Sequence, residues 1–204
     1  MEVLAKLFGS GDKVKVMKLF ILNPDLMIEV KEIARRCKVN PASVRHELNE
    51  LRSIGFLVPK KLEKKEKVKE KSKPKSPVIV SGWQLNPTFP YLGHLKGLLK
   101  TELVTRKLEL TDRFNTVGKV KLLLIAGIFI QDNDSRADLV LVGDRLKRAV
   151  IERAIKSIEA EIGRELNYSI FETNDFLYRL GAYDKFIRDL LDYPHEKIIN
   201  KLGI

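Results

Sequence analysis

The chain has 204 residues, 44% hydrophobic and 32% charged, with a formal net charge of +11 at pH 7 and a pI near 9.6. That length allows two small domains or one large one, and the apolar fraction is enough to fill real cores. The charge excess points to an anionic partner, either nucleic acid or an anionic membrane surface, while a single cysteine, Cys37, excludes an intrachain disulfide and a thiolate metal cage.

The charge is unevenly spread: residues 1–85 hold 19 Lys+Arg against 10 Asp+Glu, and residues 86–204 hold 19 against 17. An anion-binding N-terminal half and a nearly neutral C-terminal half are expected. The first residues lack the basic start, apolar run and small-residue cleavage site of a signal peptide. The longest apolar run, residues 122–130, is far below the ~20 residues a bilayer-spanning helix needs. The expectation is a soluble, cytoplasmic protein with no membrane partner.

In chain order, residues 1–22 carry Leu4, Leu7, Val14, Met17, Leu19, Phe20 and Leu22, interrupted by Gly9-Ser10-Gly11-Asp12. Ser10 or Asp12 can cap a helix over about residues 13–22, ended by Asn23-Pro24. Val30, Ile33 and Ala34 mark another short amphipathic helix, closed by the polar turn Lys38-Val39-Asn40, with Cys37 as a small core residue. Asn40 is a strong N-cap, because its side-chain carbonyl can accept from free first-turn amides. Pro41 takes the first helical position, where a missing N–H costs nothing. Val44, Leu48 and Leu51 then fall on one stripe at i, i+4 and i+7. Gly55 ends that helix in a left-handed cap, and Phe56-Leu57-Val58 start an extended run. Val78-Ile79-Val80 and Trp83-Gln84-Leu85 read as the returning strand, with a bulge or bend at Gly82. Three helices followed by a two-stranded ribbon make a winged helix containing a helix-turn-helix. Residues 59–77, between the strands, hold nine lysines and three glutamates and are expected to be a disordered, solvated tip able to track phosphates.

Asn86-Pro87-Thr88-Phe89-Pro90 is turn chemistry and marks the exit from the first domain. Helices are expected over residues 91–101 and 102–114, as connectors or a dimer contact. Residues 120–127 and 137–143 read as strands buried on both faces, joined through the polar Gln131-Asp132-Asn133-Asp134-Ser135. A long helix over 145–163 and a third strand over 166–171 follow. Thr173 is expected to cap a helix running to residue 180, and residues 183–191 and 195–202 to form terminal helices.

With Val44, Leu48 and Leu51 inward, Ala42, Ser43, Arg45, His46 and Asn49 lie on or near the opposite face. Arg can bond a guanine edge in bidentate fashion and Asn an adenine edge, while Ser and His make shorter contacts. Phosphate contacts are expected from Lys31, Arg35, Arg36 and Lys38, from the wing lysines Lys60, Lys61, Lys64 and Lys65, and beside Asn40 at the helix start. The three histidines, His46, His94 and His195, have no metal-ligand spacing. Tyr178, Arg179, Tyr183, Lys185 and Arg188 could line a pocket for an anion, but solvated helix faces are the simpler reading.

Residues 10–90 resemble winged-helix transcriptional regulators of the broad MarR/ArsR type. The resemblance is carried by Val30-Lys31-Glu32-Ile33-Ala34-Arg35-Arg36, by Asn40-Pro41-Ala42-Ser43-Val44-Arg45-His46-Glu47-Leu48-Asn49-Glu50-Leu51, and by Ile54-Gly55-Phe56-Leu57-Val58. Residues 118–180 look like a minimal nucleotidyltransferase domain that has lost parts. That family places a Gly-Ser turn after a first strand and Ser-Asp-x-Asp on the next, so that alternate aspartates hold divalent cations. Here the turn reads Gly127-Ile128, without the serine, and the next strand reads Ser135-Arg136-Ala137-Asp138. Asp138 matches the second aspartate, whereas Arg136 stands where the first belongs. The arginine is expected to repel Mg²⁺ and to pair with Asp138. On the third strand the nearest acid is Glu165, which leaves a third ligand wanting, and Asp132 and Asp134 read as a solvated loop.

The resemblance implies an α+β chain. A winged helix DNA-binding domain spans residues 1–88 with a long basic wing at 59–77, and connector helices span 89–117. A degenerate nucleotidyltransferase-like domain with a small mixed sheet spans 118–204. The implied function is a transcriptional regulator of duplex DNA, a homodimer, with no catalytic residues beyond a vestigial Asp138, no metal and no cofactor. Its C-terminal domain would serve dimerisation or the sensing of a small molecule or protein partner. The alternative is a metal-dependent nucleotidyltransferase, or a toxin–antitoxin component, carrying a DNA-binding domain.

Overall fold

The computed structural model describes residues 2–64, 78–105, 107–132 and 134–204. It divides into two compact units, Met1–Lys96 with Ala160–Arg164, and Gly97–Glu159 with Glu165–Ile204. The class is mixed α+β, with a two-stranded sheet in the first unit and a four-stranded sheet in the second.

The first unit opens with α1 (Glu2–Phe8) and α2 (Gly11–Leu22). Ser10 is the cap of α2, its hydroxyl oxygen accepting from the Lys13 N–H at 3.1 Å. In α3 (Val30–Cys37) the chain is closed by Lys38 in the left-handed region, φ 51°, with its N–H reaching the Ala34 and Arg35 carbonyls. The next helix, α4 (Pro41–Ser53), starts at Asn40, whose side-chain oxygen accepts from the Ala42 N–H at 2.8 Å. Val44, Leu48 and Leu51 are buried, and α4 packs on both α2 and α3. Gly55, at φ +77°, turns the chain outward, and its N–H and that of Phe56 bond the Arg52 and Leu51 carbonyls. A side chain at that φ would be strained, which is why a glycine ends the helix.

From there β1 (Leu57–Lys64) pairs antiparallel with β2 (Val78–Leu85) in unbroken register, Leu57 opposite Leu85 and Lys64 opposite Val78. Two expectations change. Residues 59–64, expected in the disordered tip, are strand; residues 65–77 lie outside the described residues. Gly82 makes neither bulge nor bend, standing in register with Lys60. Its role is to admit a third segment. Ile28 and Trp83 exchange both backbone hydrogen bonds at 2.9 Å, and a Cβ on Gly82 would lie 2.8 Å from the Ile28 carbonyl oxygen.

After α5 (Leu92–Thr105), which runs past the expected end at residue 101, come α6 (Lys107–Phe114), β3 (Lys119–Ile125) and β4 (Leu139–Asp144). A crossover through α7 (Arg148–Ile162) leads to β5 (Tyr168–Glu172), parallel to β4, as two parallel strands joined by a helix require. The sheet has the order β5-β4-β3-β6, where β6 is Glu196–Asn200. Leu122, Leu124, Val140 and Val142 pack with Phe176 of α8 (Thr173–Gly181) and with Ile187 and Leu190 of α9 (Lys185–Asp192). The alternate residues Leu123, Ile125, Leu139 and Leu141 are also fully buried. Both faces of these strands are covered, which is what their unbroken apolar runs require.

Three local expectations are corrected in this unit. Residues 195–202 are not helix; β6 lies antiparallel to β3. The β-branched pair Ile198-Ile199 suits an extended strand, and pairing satisfies backbone groups that β3 would otherwise leave open at a sheet edge. Thr173 is not the cap of α8; Glu172 holds that place, and the Thr173 hydroxyl is buried with no hydrogen-bond partner among the described residues. Tyr183 is not helical, taking a left-handed φ of 55°, and α9 starts after Asp184, whose carboxylate accepts from Phe186 and Ile187 N–H.

Candidate nucleic-acid interface

Burial along α4 follows the helical period. Val44, Glu47, Leu48 and Leu51 face inward, and Ala42, Arg45, His46 and Asn49 are exposed along the opposite stripe. None of the Arg45, His46 and Asn49 side chains has an intramolecular hydrogen bond or ion pair among the described residues, so all three are open to an external partner. Ser43 is half-buried, and its hydroxyl donates to the Asp12 carboxylate of α2 at 2.8 Å. It ties α4 to α2. Asn40 spends its side-chain oxygen on the cap and keeps its amide hydrogens exposed.

The flanking cations divide into two groups. Lys31, Lys38 and Lys61 are exposed. Lys60 is also exposed, and its ammonium donates to the Gln84 side chain at 2.6 Å, a neutral partner that leaves its charge intact. Arg35 and Arg36 are different. Glu32, one turn earlier on α3, accepts from Arg35 at 2.8 and 2.6 Å and from Arg36 at 2.7 Å. These bonds, Arg35 first and Arg36 second, lower the Glu32 pKa from 4.5 to about 2. Lys64 falls at the end of β1, and Lys65 lies outside the described residues.

Glu47 escaped the sequence reading. It is buried, with Lys13 of α2 3.6 Å from its carboxylate. The signal was present: residues 44, 47, 48 and 51 fall at i, i+3, i+4 and i+7, so position 47 belongs to the buried stripe.

The Asp138 neighbourhood has a different logic. One carboxylate oxygen accepts from the Ile128 N–H at 2.9 Å and the other from the Asn167 N–H at 2.8 Å. The Asp138 N–H donates to the Asn167 carbonyl at 2.6 Å, and its carbonyl accepts from Ala126 at 2.9 Å. Asp138 therefore ties the turn after β3 to the entrance of β5. Gly127, at φ +53°, sits against this carboxylate, and a Cβ there would overlap it. The expected Arg136–Asp138 pair is corrected: Arg136 bonds Asp189 of α9 at 3.0 Å, since Asp138 is already engaged by backbone N–H groups. Among the described residues no group of three or more His, Cys, Asp or Glu side chains could hold a metal ion. Arg179 pairs with Asp175 and Asp184, and Arg188 with Asp192, so those two cations are compensated locally. No helix among the described residues is long and apolar enough to cross a membrane.

No family model, curated protein or solved structure matches the chain.

Proposed function

We propose that the first unit is a winged helix that binds duplex DNA, with α4 as the reading helix and the β1–β2 ribbon as the wing, and that the chain acts as a transcriptional regulator. The observation that carries this reading is the outward stripe of α4. Arg45, His46 and Asn49 have no side-chain partner there among the described residues, and Lys31, Lys38, Lys60 and Lys61 lie on the adjoining elements. Arginine and asparagine suit base edges, and lysines suit phosphates. The second unit, on this reading, is a non-catalytic nucleotidyltransferase-like domain that supports dimerisation or senses an effector. The structural use of both Asp138 oxygens supports this reading, as does the lack, among the described residues, of a group of three side chains that could hold a metal ion with it.

Fluorescence anisotropy with labelled duplexes tests it. The protein should bind duplex DNA at low salt, and Arg45→Ala should weaken binding to a selected site by roughly 1–3 kcal/mol while relaxing preference at one base position. Absence of duplex binding at low salt, with folded protein in excess, refutes the reading. An Arg45→Ala variant equally weakened on selected and random duplexes would reduce the arginine to a phosphate contact.

A further inference from the structure

The C-terminal unit contains a feature that neither DNA reading nor the Asp138 clamp uses. Where α6 meets β3 and β6, a cavity of about 260 Å³ is lined by the apolar Phe114, Val120 and Ile199 and by three lysines, Lys119, Lys121 and Lys201. No lysine of the three makes a side-chain hydrogen bond or ion pair among the described residues. Three lysines without a side-chain partner among the described residues line one concavity, and in an otherwise nearly neutral half of the chain their gathering favours an anion.

Their placement is built into the backbone. The β3–β4 register slips between Val120 and Leu122, so Lys121 is the extra residue of a β-bulge, a device that re-aims a side chain and recurs beside functional sites. Two glycines permit it. A Cβ on Gly143 would overlap the Lys119 carbonyl oxygen, and Gly118, at φ +142°, would bring a Cβ to 2.7 Å from the Arg145 carbonyl oxygen. The Lys201 N–H donates to the Lys121 carbonyl at 2.7 Å, which fixes those two residues side by side across the strands.

We propose that this pocket binds a compact phosphate-bearing small molecule. Lysine ammonium groups would hold the phosphate as point charges, and Phe114, Val120 and Ile199 would contact the body of the ligand. The volume lies just below the ~300–1,000 Å³ of pockets for drug-sized ligands, which favours a small ligand. The concave, partly apolar lining favours a small molecule over the extended backbone of a nucleic acid. The site lies wholly within the second unit, so it stands or falls independently of DNA binding by the first.

Titration calorimetry on the full chain, at constant ionic strength, tests it with pyrophosphate and inorganic phosphate as probes. Saturable binding is expected, tighter for pyrophosphate. Lys121→Gln and Lys201→Gln should each weaken it roughly tenfold, the loss of one charge-assisted contact, with ligand-free melting unchanged. Lys156→Gln, exposed on α7 outside the pocket, should leave binding intact. Non-saturating heats overturn the proposal, as does equal weakening by Lys156→Gln, which would mean screening alone. Duplex binding that Lys121→Gln weakens as much as pyrophosphate binding overturns it too, by making the surface a nucleic-acid contact. Should one lysine variant unfold, the other carries the test.

Discussion

Removing the Asp138 carboxylate tests the role of the side chain that ties the turn after β3 to the entrance of β5. In Asp138→Ala two hydrogen bonds to an ionised acceptor disappear, those from Ile128 and Asn167 at 2.9 and 2.8 Å, and both N–H groups lose their side-chain partner. Each bond to a charged group contributes about 1.5–3 kcal/mol. Asp138 is half-buried, so water can reach part of the gap, and the expected loss is about 3 kcal/mol rather than the full sum. At roughly 4–8 °C per kcal/mol for a domain of this size, the melting point should drop by about 12–24 °C. Asp138→Asn keeps the volume and one acceptor, and should cost about half as much. Thermal melts followed by circular dichroism, with and without Mg²⁺ or Mn²⁺, give the readout. A loss under about 1 kcal/mol refutes the clamp. So does a wild-type protein stabilised by either cation when Asp138→Ala is not, because the carboxylate would then be a metal ligand.

Gly82→Ala should destabilise the first unit by about 1–3 kcal/mol in urea, since its Cβ meets a backbone oxygen that cannot swing away; an unchanged midpoint would show that Ile28 yields freely. The Cys37 thiol is fully buried, and burial raises its pKa from 9.0 to about 12. An aromatic disulfide reagent at pH 8 should leave it untouched in the native protein and label it fully in denaturant; rapid native labelling would mean that α3 opens. For Glu32, folding favours the charged form, so its contribution is complete above pH 4.5 and is lost as pH falls towards 2. The group is about one-third exposed, which limits the contribution to under ~1 kcal/mol. Wild type and Glu32→Gln should converge in stability across that window, and a constant gap between them would contradict the assignment.

What was legible in the chain follows the range of the forces involved. Ser10, Asn40-Pro41 and Gly55 mark helix ends through bonds that close within a few residues, and the structure has them in those roles. The outward stripe of Ala42, Arg45, His46 and Asn49 followed from the helical period alone. The Glu32 clamp on Arg35 and Arg36 could also have been read, because i, i+3 and i+4 are neighbours on a helix. Features set by distant partners were not legible. Gly82 reads as a bulge until Ile28 is brought beside it, and residues 195–202 read as helix until β3 presents an open edge. Arg136 has Asp134 and Asp138 two residues away on either side, yet the fold delivers Asp189 from α9. Ser43 was expected to face outward, and only the approach of α2 turns it to Asp12.

The pairing of Arg35 and Arg36 with Glu32 also bears on thermodynamics in salt. On DNA, each cation that settles on a phosphate releases condensed counterions, and log K falls by about 0.9 per contact against log salt concentration. Two guanidinium groups already facing a carboxylate must leave it before they can join that exchange. Outside that clamp, the exposed cations among the proposed contacts are Lys31, Lys38, Arg45, Lys60 and Lys61. If all five contact phosphates, as the proposed function has it, together they would give a slope of roughly −4 to −5. On the proposed reading a steeper dependence would mean further phosphate contacts, and replacing lysines of the segment 64–75 would show whether they supply them.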